Sequence, residues 1–339
     1  MTPVQKSCTV LFLSFVLLPG ALSARVNVAN SIKKKGDLEL SRHYPEDKKN
    51  GSLPVVLWHG LGDSSHGSIS PIIDMITKKL GVFVFSVATG EGAAGDMLSS
   101  YYGNVNDQVA KVCAEMKGIS ELANGFNAIG FSQGGQFMRA LVERCSHDGI
   151  QARSLITLGA QHQGIASVPG CSPPPSTLNS KQRDPVLEAL RGTCETVQAL
   201  LAQGAYLPWV RDHVVPAQYW KDTDRMGEYL EYNHFLPDIN NEYSKKNPQY
   251  AANIASLDKL VLYKFSRDTT VVPSESSWFG LLNGGHVVKL HEQDLYKEDF
   301  IGLRQLDESG RLELKEIDGE HMNFTLEWFE SEILQQYLA

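Results

Sequence analysis

Ser132 lies in the stretch "NAIGFSQGGQFMRAL", where Gly130-Phe131-Ser132-Gln133-Gly134 fits G-x-S-x-G between an apolar run and a helix-like pattern. In such a nucleophile elbow the serine occupies a strained strand-to-helix turn, and the flanking glycines let strand and helix pack closely. In a glycine-rich chain the string alone is weak, so its surroundings matter. Apolar "NAIGF" ends at the serine, and Phe137 and Leu141, four apart, begin a helix face after it. A serine hydroxyl is a poor nucleophile at neutral pH; it needs a base to take its proton and a third group to orient that base. In elbow-type hydrolases the partners follow in the order Ser, Asp or Glu, His.

Of ten histidines, His286, His291 and His321 follow a suitable acid. His321 stands between strand-like "LELKEI" and the last amphipathic stretch, in the loop where such a fold presents its base. His286 follows Gly284-Gly285 in a loop and His291 sits in an alternating stretch, so both fit surface or structural roles better. Asp268 closes the apolar run "KLVLYKFSR", which puts it at the carboxyl edge of a sheet; Asp258 begins that run and belongs to the wrong end. Asp294, Asp299 and Asp307 lack a strand-end context. Acyl transfer also needs donors for the oxygen that becomes negative. The N–H after the nucleophile, Gln133, is one, and Leu61 in the early strand-end loop "WHGLGD" is the other. The alternative for that loop, a phosphate-binding turn, lacks the remaining glycine and lysine spacing.

These groups need a scaffold that brings strand ends together. "LPVVLWHGLGD" predicts a strand buried on both faces, followed by the helix pattern "SISPIIDMITKKLG" and the β-type run "VFVFSVA". "VNDQVAKVCAEMKGI" places Val105, Val109 and Val112 on one helix face, and "FNAIGF", "GGQFMRALVERC" and "SLITLGA" continue the alternation. From about 162 to 253 the alternation lapses into short amphipathic stretches with aromatics at Tyr206, Trp209, Tyr219, Trp220, Tyr229 and Tyr232, predicted as a helical insertion. It resumes at "LDKLVLYKFS", passes a looped region, and ends with "GRLELKEI" and "TLEWFESEILQQYL". The expected fold class is α/β, a mostly parallel central sheet flanked by helices.

Composition narrows the function. A chain of 339 residues, 42% of them hydrophobic, can bury one large core, so a single domain at 24–339 carrying the insertion is expected. A net charge of -8 without a clustered excess of Lys and Arg disfavours nucleic-acid binding. Lys6, the apolar run from about Thr9 to Leu18, and Ala21 and Ser23 at cleavage-site spacing predict a signal peptide at 1–23. That run is shorter than the roughly 20 residues that span a bilayer, and no later segment is long enough, so no transmembrane segment is expected.

Cys113, Cys145, Cys171 and Cys194 then remain for an oxidising compartment, where three complete pairings are open; the local one joins Cys113 with Cys145 and Cys171 with Cys194. Of two glycosylation sequons, at Asn50 and Asn323, Asn50 in a polar loop is the better candidate. The cysteines lack metal-ligand spacing and the histidines show no H-E-x-x-H, so neither metal nor other cofactor is expected.

Beyond these patterns, the chain closely resembles the palmitoyl-protein thioesterases, lysosomal α/β-hydrolases. The resemblance is carried by "LWHGLGDS", "NAIGFSQGGQFMRALVERC", "GAQHQGI", "PAQYW", "FLPDINNE", "VVPSESSWFG" and "GEHMNF", from about Leu57 to near the C-terminus. It implies the α/β-hydrolase fold, Ser132 as nucleophile with Asp268 and His321, Leu61 and Gln133 at the oxyanion, and a Cys113–Cys145 disulfide around the nucleophile segment. It also implies the reaction, hydrolysis of long-chain acyl thioesters on S-palmitoylated proteins or peptides, and the secretory pathway, chiefly the lysosome lumen, as its location. The chain departs from the family pattern at Ser65 and His66, where relatives carry a cysteine pair, and at Arg267, where a relative has a sequon asparagine.

The triad suits thioesters without selecting them, because a thiol with a pKa of about 8.5 leaves more readily than an alkoxide. An oxygen esterase or lipase would use the same constellation, and a hydrolase-like binding protein with a disabled site is the rival from another class. Acyl-chain preference is expected from the insertion, whose aromatics either line a groove or form ordinary core.

Overall fold

The computed structural model describes residues 41–46, 51–146, 149–167 and 185–339. The segment expected as a signal peptide, the sequon at Asn50, and Cys171 lie outside the described residues, as does the side chain of Cys194.

Strands β1 (Arg42–His43), β2 (Val55–Trp58), β3 (Val84–Ser86), β4 (Phe126–Phe131), β5 (Ala152–Leu158) and β6 (Lys259–Phe265) are followed by β7 (Leu281–Asn283), β8 (His286–Val288) and β9 (Leu312–Ile317). Seven of them form one sheet in the order β1-β3-β2-β4-β5-β6-β9. β1 runs antiparallel to β3 and every other pairing in this sheet is parallel, with Leu57 opposite Ile129 and Ile129 opposite Ile156 at its centre. The near-continuous apolar runs are explained by burial on both faces. Val55 and Leu57 face one layer while Val56 and Trp58 face the other, and β4 is buried at all six positions.

On one face lie α1 (Ser70–Leu80), through Ile72, Ile73, Ile76 and Leu80, and the C-terminal helix, through Phe329, Ile333 and Leu334. That last helix opens as α over Leu326–Phe329 and widens to a π-helix over Glu330–Leu338. α2 (Gly92–Tyr101) and α3 (Val105–Met116) lead on to α4 (Gln133–Cys145) on the opposite face, where Val105, Val109 and Val112 turn inward as their spacing predicts. Asn104 caps α3, its side chain accepting from the N–H groups of Asn106 and Asp107. The Cys113–Cys145 disulfide, Cα–Cα 6.0 Å, ties α3 to the end of α4, as the family resemblance implies.

Between β5 and β6 the chain forms helical segments that include α5 (Pro185–Gly204), Pro208–His213, Met226–Tyr232 and Pro248–Ala255. Several elements were not legible in the sequence, among them the short helices Asp294–Lys297 and Leu303–Glu308 in the region expected to be looped. β1 is two polar residues long, α2 is rich in glycine and alanine with a weak apolar stripe, and the β7–β8 hairpin turns on Gly284-Gly285 in what looked like a loop.

Candidate active site

The nucleophile segment is built by close approach. β4 ends at Phe131 and α4 begins at Gln133, leaving Ser132 alone to make the turn at φ 51°, ψ -122°. A side chain with positive φ is strained and persists only where its surroundings hold it. Here Ser132 N–H donates to Leu158 O at 2.7 Å and Ser132 O accepts from Gly135 N at 2.9 Å. The neighbouring glycines are dictated by space: a Cβ on Gly130 would come within 2.2 Å of the Gly135 Cα, and one on Gly134 within 2.3 Å of the Trp58 and His59 carbonyl oxygens.

Two loops at the carboxyl edge of the sheet meet this turn. His321, after β9, lies with Nε2 2.8 Å from Ser132 Oγ and Nδ1 2.6 Å from Asp268 Oδ2. A carboxylate only accepts, so Nδ1 carries the proton and Nε2 presents its lone pair to the serine hydroxyl. The Asp268 side chain is fully buried, and its other oxygen accepts from the N–H groups of Thr270 at 2.8 Å and Val271 at 2.9 Å. These bonds fix the acid while the base keeps 14% of its side chain exposed. The other two histidines considered lie away from this line: His286 starts the exposed β8 and His291 meets Asp307 at 2.9 Å.

Gln133 is the first residue of α4, so its N–H has no intrahelical acceptor, and its side chain is anchored on both sides. Its amide donates to Ser100 O at 3.0 Å and its carbonyl accepts from the Tyr219 hydroxyl at 2.8 Å. Leu61 and Gly60 border the cavity that opens on Ser132.

Two buried polar networks support this turn, and sequence reasoning missed both. His59, at the end of β2, has Nδ1 2.9 Å from Gly60 O and Nε2 3.2 Å from Asp96 Oδ2, the second contact close but off the hydrogen-bond line. Asp96 also accepts from Ser65 N at 2.7 Å and Thr89 N at 2.7 Å, so one carboxylate holds the loops after β2 and β3. Burial alone would lower the pKa of His59, but the Asp96 carboxylate outweighs it and the value is raised. Burial likewise pushes Asp96 upward, but His59 and the two N–H groups prevail and its pKa is lowered.

Behind α4, Arg139 is buried and donates to Glu143 at 2.8 Å, Ile239 O at 2.8 Å and Asn240 Oδ1 at 2.8 Å. Its Nε donates to His162 Nδ1 at 3.2 Å, which leaves His162 Nε2–H to donate to Thr157 Oγ1 at 3.0 Å. Burial and the neighbouring Arg139 hold the pKa of His162 well below its usual value, while burial raises Glu143 to about 7 despite Arg139. The signal available in the sequence was Arg139 and Glu143 one helical turn apart.

The cavity at Ser132, about 380 Å³, is bounded by Ile69, Pro71, Phe131, Met322, Phe324 and Leu326, with none of the insertion aromatics. Those aromatics are mostly core instead. Tyr206, Tyr219 and Tyr229 are buried, Trp220 and Tyr232 pack partly buried against them, and Trp209 lies on the surface. Tyr219 packs against Phe137 of α4 with ring centroids 6.5 Å apart, and Phe137 in turn meets Trp58 and Phe235 edge-on at 5.5 Å.

A sequence model of the family described as palmitoyl protein thioesterase matches residues 54–321. The chain is 40% identical over 293 residues to palmitoyl-protein thioesterase 1 of Caenorhabditis elegans, covering 84% of this chain and 91% of that protein. It is 33% identical over 267 residues to palmitoyl-protein thioesterase 3 of Dictyostelium discoideum, covering 78% and 83%. The lysosomal thioesterase PPT2-B of Xenopus laevis is 29% identical over 276 residues, covering 78% and 85%.

Proposed function

Because the chain belongs to the palmitoyl-protein thioesterase family, we propose that Ser132, His321 and Asp268 catalyse hydrolysis of long-chain acyl thioesters on protein or peptide cysteines. The observation that carries this reading is the hydrogen-bonded line from Ser132 Oγ through His321 to Asp268 on a strained elbow. Ser132 Oγ attacks the thioester carbonyl as His321 Nε2 takes its proton, and the negative oxygen is met by the N–H groups of Gln133 and Leu61. The carbon–sulfur bond then breaks and His321 returns the proton to the sulfur, so a thiol leaves and an acyl-serine remains. Water, deprotonated by the same histidine, releases the fatty acid and restores Ser132.

The expected signal peptide, the disulfide and the lysosomal thioesterase relatives support a place in the secretory pathway, the lysosome lumen above all. Among the described residues no helix is long and apolar enough to cross a membrane. Turnover of a palmitoyl thioester beside a matched oxygen ester, with Ser132→Ala as control, tests the reading. A preference for the thioester is expected, together with a loss of at least about 10³-fold in Ser132→Ala. An equal or reversed preference removes the substrate class, and an active Ser132→Ala removes the mechanism.

A further inference from the structure

The three groups around the attacked carbonyl carbon need three directions: its oxygen toward Leu61 and Gln133, the acyl chain, and the departing sulfur. The sulfur receives its proton from His321 Nε2, so the thiol side of the substrate lies within hydrogen-bond reach of that atom. The cavity at Ser132 runs from Gly60 and Leu61 past Ser132 to His321, so it adjoins this side. One wall is the segment directly after the base, with Met322, Phe324 and Leu326, and the other is the start of α1, with Ile69 and Pro71.

The cavity is a trough rather than a tunnel. Leu326 is 39% exposed and Pro71 is exposed on the opposite rim. Past these two residues a second depression of about 390 Å³ follows α1 and the last helix, bounded by Met75, Lys78, Lys79 and Glu330. An alkyl chain laid along such a course would keep much of its surface in water, against the hydrophobic drive that binds it. A polypeptide suits it better, with apolar side chains on the floor and its backbone and polar groups toward solvent and the charged rim.

We propose that this trough between α1 and the His321 segment holds the polypeptide flanking the acylated cysteine, so that the enzyme reads the protein side of the thioester here. The proposal rests on the assignment of Ser132 and His321 as nucleophile and base. It makes Leu326 and Pro71 specificity-determining residues for the leaving thiol.

The test uses the full chain and three substrates: an S-palmitoylated peptide of about ten residues with a central cysteine, and the palmitoyl and octanoyl thioesters of N-acetylcysteamine. The native enzyme is expected to show a higher kcat/KM for the peptide than for the palmitoyl small-thiol ester. Leu326→Trp and Pro71→Trp, one on each wall, are expected to lower the peptide-to-small-thiol ratio of kcat/KM about tenfold, the size of one lost contact of 1.4 kcal/mol. The palmitoyl-to-octanoyl ratio is expected to stay constant. Fluorophosphonate labelling of Ser132 verifies that each variant is folded.

A native enzyme without peptide preference overturns the proposal, whatever the variants do. So does an unchanged peptide ratio in folded variants, and a shifted chain-length ratio would assign the trough to the acyl chain instead. An inactive native enzyme, or an active Ser132→Ala, breaks the underlying catalytic reading and is recognised separately.

Discussion

His59 and His162 lie on either side of the nucleophile elbow, 2% and 0% exposed, and their surroundings move their pKa values in opposite directions. The nitrogens of His59 face acceptors, the Gly60 carbonyl and the Asp96 carboxylate, so the ring is suited to holding both protons. His162 faces a donor, Arg139, on one side and a hydroxyl on the other, which requires a neutral ring. Equal burial therefore predicts nothing about charge; the polarity of the contacting atoms decides it. The two also have different work. His59 and Asp96 fix the loop that carries Leu61, whereas Arg139 and His162 join α4 to the segments between β5 and β6.

Breaking the second region has the larger expected effect. Arg139→Ala leaves Glu143, Asn240 and the Ile239 carbonyl without their partner, and a loss of about 3–5 kcal/mol is expected by chemical denaturation. On the other side, Asp96→Asn takes the counter-ion from His59 and is expected to cost about 3 kcal/mol. Its signature differs from that of Arg139→Ala. The loop carrying Leu61 loosens, so kcat should fall in the folded fraction, measured against titrated active sites. Thr157→Val removes the acceptor of His162 Nε2–H and should lower stability by about 1 kcal/mol with kcat retained.

The finest test is the dependence of stability on pH. The raised pKa of His59 contributes stability that is complete below its unfolded value of about 6.5 and is lost as pH rises through the folded value. The lowered pKa of His162 acts the other way. Its contribution is present above about 6.5 and is lost as pH falls, because the unfolded chain then takes up a proton that the fold refuses. Melting curves of His59→Gln should flatten the alkaline limb, and those of His162→Gln the acid limb. The same limb flattening in both would refute the opposite pKa shifts.

The trough and the insertion show a similar division between what sequence reveals and what it hides. Ser132 and Asp268 were legible because each closes an apolar run, and His321 because it follows the alternating strand "LELKEI"; strand ends of a parallel sheet share one edge. The placement of the insertion aromatics was not. A tyrosine or tryptophan suits a groove as well as a core, and the choice fell to partners distant in sequence, such as Phe137 beside Tyr219.

Residue types, order and periodicity by themselves determined the α/β alternation, pointed to the elbow and its candidate acid and base, and carried the resemblance to the family to which the chain belongs. Only the tertiary structure decided that His321 reaches Ser132 across 189 residues at 2.8 Å, that the open cavity reaches His321, and in which direction the pKa of each buried histidine moves. The physical reason is range. Periodicity and turn chemistry act between residues a few positions apart, whereas desolvation, charge pairing and free volume depend on which distant side chains the packed core brings into contact.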